Sequence, residues 1–273
     1  MNTRFYRLLA AVLLVGTVAA APFGLDKLTK AIDTMKDAGK VVKGAAGIGP
    51  DEESMIGASV AIELIGKYGG LVREDEITQR VNLVGGTLVR YSDRPDRHWR
   101  FGVLASDSIN AFSAPDGYVF ITRGLYDLAT DDELLAGILG HEIAHITGRH
   151  ALKIIERDEA FSGGKNLLLA HSADARQAQS TVDQINSQLG PLGLRTDKIL
   201  KTLVESGYDS QTEFAADKTG HDLAAQTGYA PGGLRATLVI LQTRKGEAQK
   251  PFPSHPPLKE RIKRLPDEPL PKS

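Results

Sequence analysis

The chain has 273 residues, 41% of them hydrophobic, with 33 Lys and Arg against 34 Asp and Glu and a formal net charge of −1. So even a balance leaves no basic footprint for nucleic acid or an anionic membrane surface. Zero cysteines exclude disulfides, a thiol nucleophile and a lipid-modified cysteine.

Arg4 and Arg7 precede an apolar run from Leu8 to Val18, and Val18-Ala19-Ala20 offers small residues at a cleavage point. That is the form of a secretory signal peptide (residues 1–20), cleaved near Ala20. It predicts an exported protein, periplasmic in a two-membrane bacterium, with secretion or an uncleaved anchor as alternatives. The run is too short for a comfortable membrane helix, and no other stretch approaches about 20 apolar residues, so no integral membrane segment is expected in the mature chain. Residues 21–70 read as an N-terminal helical arm. Leu25, Leu28, Ile32, Met35 and Val42 line one side, a loop covers Gly44–Ser54, and a helix covers Met55–Tyr68. Residues 71–273 remain for one globular domain with a full core, and no repeat of roughly 30–40 residues is visible.

Within that domain, Asp75–Leu88 reads as a helix with Ile77, Val81, Val84 and Leu88 apolar, although Gly85-Gly86 weakens its last turn. His98–Leu104 alternates Trp99, Phe101 and Val103 as a strand would. Residues 109–114 and 118–123 flank Pro115-Asp116-Gly117 as a hairpin. Thr130-Asp131-Asp132-Glu133 then reads as a capping box with Thr130 at N-cap, opening a helix lined by Leu134, Leu135, Ile138, Leu139, Ile143 and Ile146.

That helix carries His141-Glu142-Ile143-Ala144-His145. Two histidines four apart share a face and can reach one metal ion. At about 100° per residue, Glu142 lies roughly 60° from His145, able to address a water at the metal without ligating it. Neutral imidazoles suit zinc, and a carboxylate beside the water can accept its proton. The alternative is two ordinary helix histidines. Glu213-Phe214-Ala215-Ala216-Asp217 supplies two more carboxylates four apart, on a helix expected to run to about Thr227. One of them could ligate while the other fixes the tautomer of a ligand imidazole, unless both belong to a solvated face.

Other histidines read more plainly. His150, placed on the same helix about 180° from His141, lies too far round to ligate the same metal. His221, eight residues after Glu213 on the same helical face, suits packing, with a place behind a ligand as the alternative, and neither His98 nor His171 has a partner that can be named from sequence. Arg149 could pair with a nearby acid. Residues 173–203 read as a polar helical pair, interrupted by Gly190-Pro191 and Gly193. They suit a solvated hairpin, with a partner surface or a lid hinged at Ser162-Gly163-Gly164 as alternatives. His255 sits in a loop rich in proline (Pro251, Pro253, Pro256, Pro257), where an exposed surface histidine is the plain reading.

Four blocks, in order from about residue 75 to 265, resemble the M48 metallopeptidases. These gluzincins include the CAAX prenyl protease, HtpX and several envelope quality-control enzymes. The blocks are Asn110-Ala111-Phe112-Ser113-Ala114-Pro115-Asp116-Gly117; His141-Glu142-x-x-His145 followed by His150; Glu213-x-x-Ala216-Asp217; and Ser254-His255-Pro256-Pro257 through Arg261-Ile262. The resemblance implies an α+β, predominantly α, zincin-like fold with a small antiparallel sheet beside the active-site helix, and makes residues 71–273 its catalytic domain. It implies one Zn2+ per chain on His141, His145 and Glu213, with Glu142 as general base and acid and Asp217 behind a ligand imidazole. Asn110, Ala111, Phe112, Ser113 and Ala114 would hold an extended substrate by strand addition, where a plain structural hairpin is the alternative. His255 would stabilise the transition state or occupy a latent fourth ligand position, with Arg261 anchoring its loop, through Asp217 as one route. The implied substrates are unfolded or misassembled envelope proteins, with envelope assembly factors as partners. A non-proteolytic assembly factor or chaperone, with His255 plugging the site, is the alternative. The mature chain departs from the membrane-embedded branches of the family.

Overall fold

The structure, a computed structural model, describes residues 48–157, 200–244 and 257–270. The expected signal peptide, most of the arm, the hinge at 162–164, His171, the segment to 199 and His255 lie outside the described residues.

Helix α1 spans Pro50–Lys67, starting five residues earlier than the expected Met55. Proline suits the first helical position, where its missing N–H costs nothing. The Gly49 N–H donates to Glu52 Oε2 at 2.8 Å, so the Gly-Pro pair opens the helix rather than a loop. Helix α2 spans Asp75–Val89 and runs through Gly85-Gly86 without interruption. A Cβ on Gly85 would stand 2.4 Å from Phe101 Cε1. The glycine therefore admits a fully buried ring against the helix, and the weakened last turn does not appear.

Three strands follow: β1 (Arg100–Leu104), β2 (Ala111–Ala114) and β3 (Tyr118–Thr122), in the order β1-β3-β2. The hairpin expected between β2 and β3 is antiparallel, pairing Ala111 with Ile121 and Ala114 with Tyr118. β1 pairs parallel with β3, Arg100 opposite Tyr118, so the sheet is mixed rather than antiparallel. The chain leaves β1, runs back along the outer position as β2, and turns into the gap as β3, which must then parallel β1. The turn is tight because Asp116 (φ 61°) and Gly117 (φ 94°) both adopt left-handed backbone.

Side chains alternate across the sheet. Phe101, Val103, Val119 and Ile121 join the core that α2 shares with the next long helix. Leu104, Phe112, Ala114, Tyr118 and Phe120 face the core built with α1, which also holds Leu200 and Leu203. The end of the polar segment expected to be solvated is thus buried.

Helix α3, Asp132–Thr147, runs beside the sheet. Its N-cap is Asp131, one residue beyond the expected Thr130, and the Asp131 carboxylate accepts the Leu134 N–H at 2.8 Å. The Glu133 carboxylate accepts the Ala230 N–H instead of closing a capping box. After Gly148, Arg149 takes φ 54°, and a separate helix α4 begins at His150 and runs to Arg157. A π-helical turn covers Thr202–Ser206. Helix α5 spans Ser210–Thr227, capped by Asp209 and ended by Gly228 at φ 85°. Helices α6 (Gly233–Arg244) and α7 (Leu258–Arg264) complete the described part. The class is α+β and predominantly α. Among the described residues no helix is long and apolar enough to cross a membrane.

Two glycines set the distance between α3 and α5. A Cβ on Gly140 would lie 3.0 Å from the Gly220 carbonyl oxygen, and one on Gly220 would lie 2.7 Å from the His141 nitrogen. The two backbones therefore touch, one residue away from His141.

Candidate metal centre

The close approach at Gly140 and Gly220 brings Glu213 and Asp217 of α5 against His141 and His145 of α3. His141 Nε2 and His145 Nε2 stand 3.1 Å apart. Glu213 places Oε2 at 3.6 Å from His141 Nε2 and Oε1 at 3.6 Å from His145 Nε2. All three side chains are buried, and they form the one cluster of potential metal ligands among the described residues.

The donor set fits a divalent metal. Metal–nitrogen and metal–oxygen bonds of about 2.0–2.1 Å in a tetrahedron separate neighbouring donors by roughly 3.3 Å, which the three observed separations bracket. Two imidazole lone pairs and a carboxylate held this close, out of water, are unfavourable unless a cation lies between them.

The two histidines are backed differently. His141 Nδ1–H donates to Asp217 Oδ1 at 2.9 Å, so Nε2 carries the lone pair and faces the cluster. Arg261 of α7 holds the same carboxylate in a fork, Nη2 to Oδ1 at 2.6 Å and Nε to Oδ2 at 2.9 Å. Burial raises the Asp217 pKa, but the His141 hydrogen bond and the Arg261 charge outweigh it and hold the carboxyl well below the usual range. Burial and Arg261 oppose a charged His141, yet the Asp217 hydrogen bond with the Asp217 and Glu213 charges raises its pKa overall.

His145 has neutral company. Its Nδ1 lies 2.9 Å from His150 Nδ1. The left-handed Arg149 breaks the helix and folds His150 back onto the site, so the two histidines do not occupy opposite sides of one continuous helix. Burial and the Lys153 charge lower the His150 pKa to about 4, so its imidazole is neutral and can accept from His145 Nδ1–H. The Tyr208 ring stacks on His145 with centroids 4.3 Å apart and planes 18° off parallel. The break itself is held from a distance. Arg94 donates to the Ile146 carbonyl at 3.2 Å and grips Glu53 of α1 with two bonds of 2.7 and 2.8 Å. Arg149 donates to the Ile48 carbonyl at 2.7 Å.

Beside the cluster lies a cleft walled by Glu142 and His145, by Ala111, Phe112 and Ser113 of β2, and by Leu203 and Tyr208 opposite. Ala114 borders a second space, which Glu53, His145 and Tyr208 also line. Asn110 serves the hairpin: its N–H donates to Thr122 Oγ1 at 3.0 Å, and its Oδ1 accepts the Ala111 N–H at 2.9 Å. His221 contacts Asp222 and Glu268, away from the cluster. His98 faces Asp116 at 3.7 Å, a pairing that sequence did not suggest.

Tyr208 and Leu203 are site-lining residues that sequence reasoning missed. A signal existed for Tyr208: it is an aromatic residue immediately before the Asp209 N-cap of the helix that carries Glu213, a position where apolar side chains pack back onto their surroundings. Burial and the Glu142 and Glu213 charges push its hydroxyl pKa well above the ordinary tyrosine value, so the group stays a hydrogen-bond donor.

Residues 75–268 match Peptidase family M48. The chain is 30% identical to the metalloprotease LoiP of Escherichia coli (strain K12) over 168 residues, 61% of either protein. It is 28% identical to the metalloprotease YcaL of the same organism over 187 residues, 68% of this chain and 64% of YcaL. Identity to the beta-barrel assembly-enhancing protease of Escherichia coli (strain K12) is 25% over 250 residues, 89% of this chain and 47% of that protein. The chain spans less than two thirds of the length of these curated relatives.

Proposed function

Because the chain belongs to peptidase family M48, we propose that it is a zinc-dependent endopeptidase of the cell envelope, acting on extended segments of unfolded or misassembled proteins. The observation that carries this reading is the buried convergence of His141, His145 and Glu213 next to a cleft walled by Glu142 and an edge strand. His141, His145 and Glu213 would hold one zinc ion, which when bound polarises a carbonyl and makes a water more acidic.

The chain's own groups then have distinct tasks. Asp217, held by Arg261, keeps the His141 proton on Nδ1. His150 does the same for His145. Glu142 accepts a proton from the attacking water as its oxygen bonds to the scissile carbonyl carbon and the carbonyl π pair moves onto oxygen. As the tetrahedral centre collapses and the C–N bond breaks, Glu142 delivers that proton to the departing amine. An extended substrate would lie along β2 at Ala111–Ser113, where backbone hydrogen bonding tolerates many sequences. Support for an envelope location comes from the bacterial relatives and from the signal-like residues 1–20, and support for assembly partners from the relative named for beta-barrel assembly.

The test is incubation with casein, an unfolded protein, beside Glu142→Gln and a chelated sample, with the metal content of each measured. Cleavage by the zinc-loaded wild type alone is expected. A zinc-loaded protein that binds casein without cutting it would favour a non-proteolytic assembly role. A folded protein with no affinity for zinc would overturn the reading.

A further inference from the structure

We propose that Tyr208 is a catalytic residue, its hydroxyl donating a hydrogen bond to the carbonyl oxygen of the scissile peptide as that oxygen gains negative charge. The inference rests on the endopeptidase reading and adds a donor to it. Tyr208 is partly buried as a residue, but its hydroxyl oxygen is out of solvent and has no hydrogen-bond partner among the described residues. Buried hydroxyls in native proteins are ordinarily paired, so one left open in a cleft wall marks a place where a ligand completes the bonding.

The surroundings point to which ligand. The ring lies flat on His145, a member of the ligand cluster, which fixes the direction of the phenol. Glu142 and His145 of helix α3 line the same cleft as Tyr208, so the phenol shares that space with the general base and one member of the cluster. Across the cleft stand Ala111, Phe112 and Ser113 of the edge strand. A peptide between that strand and Tyr208 has its reacting carbonyl beside Glu142 and within the reach of one donor from the opposite wall. The side chain enters the cleft directly ahead of the Asp209 cap, from a short stretch opened by Gly207 at φ 66°. Helix α5 therefore carries a metal ligand and aims this donor from its own N-terminus.

Tyr208→Phe removes the hydroxyl and keeps the stacked ring. On a quenched peptide copied from a casein cleavage site, kcat should fall about 100-fold, as on loss of a single transition-state donor, with KM within about threefold of wild type. A phosphinic peptide, which mimics the tetrahedral centre, should bind the zinc-loaded Phe variant about 100-fold more weakly. The uncleaved parent peptide should bind Glu142→Gln with and without the Phe change equally well. Zinc affinity by competition and the melting temperature should not fall in Tyr208→Phe, whereas Tyr208→Ala, which also loses the stack, should bind zinc more weakly. Unchanged kcat and unchanged phosphinate affinity in Tyr208→Phe would overturn the proposal while leaving the endopeptidase reading intact. So would a loss of activity that merely tracks lost zinc or lost stability. A wild type that neither cleaves casein nor binds the phosphinate would remove the endopeptidase reading, and this inference with it.

Discussion

The two histidines of the cluster share a helix and are backed in opposite ways. Behind His141 stands a buried ion pair, Asp217 with Arg261. Behind His145 stand a neutral imidazole and a phenol ring, His150 and Tyr208. A charged backing ties ligand orientation to the stability of the whole fold, since neither ion tolerates burial alone. A neutral backing can be altered at the site with little consequence elsewhere.

Asp217→Asn tests the charged side and should do the most damage. It leaves Arg261 buried without its counter-ion, and the expected loss is about 3–5 kcal/mol in urea unfolding. Zinc affinity should also drop by roughly 10–100-fold as His141 loses its acceptor. A variant as stable as wild type would show that the pair does not couple site and fold.

Gly220→Ala should cost about 1–3 kcal/mol, because the new methyl meets the His141 backbone and must separate α3 from α5. Zinc titration should weaken with it. If stability falls while zinc affinity stays, the close approach matters for packing alone.

Glu53 sharpens the neutral side, because its partner Arg94 also holds the Ile146 carbonyl where the chain breaks before His150. Burial raises the Glu53 pKa, but Arg94 outweighs it and the folded value lies below the ordinary 4.5. A depressed folded pKa contributes stability above the unfolded value and loses it as pH falls through the folded one. Glu53→Gln should therefore be less stable than wild type by about 2 kcal/mol at pH 7, the scale of a hydrogen bond to a charged group. The gap should close below the ordinary carboxylate range, and a gap independent of pH would break the assignment.

His150→Gln should have the smallest effect on stability, within about 1 kcal/mol for one neutral hydrogen bond, together with a zinc affinity lowered about tenfold. A loss as large as that of Asp217→Asn would erase the contrast between the two sides.

Much of this was legible from residue order. The i, i+4 spacing of His141 and His145, and of Glu213 and Asp217, needs only helix geometry. The β2–β3 hairpin needs only its Pro-Asp-Gly turn. The Arg261–Asp217 contact, one route that the family resemblance implies, is a two-bond fork. Less visible were features in which distant residues choose between local alternatives. Gly85 is a weak point in a helix by local propensity, and Phe101, distant in sequence, fills the space it leaves. The parallel pairing of β1 depended on where β3 was inserted, which no alternation within either strand records. His150 would lie far from His141 on a continuous helix, and the left-handed Arg149 brings it to His145 instead.

Sequence by itself determined most of the helices, the strands, and His141, Glu142, His145, Glu213 and Asp217 as the chemically competent side chains, because those follow from periodicities within a few residues of one another. Tertiary structure alone decided that Glu213 meets both imidazoles, that His150 backs one of them, and that the Tyr208 hydroxyl lies buried in the cleft wall. Each depends on two backbones approaching until only glycine fits, or on one residue crossing into left-handed φ, and such choices are made by packing between segments far apart in the chain.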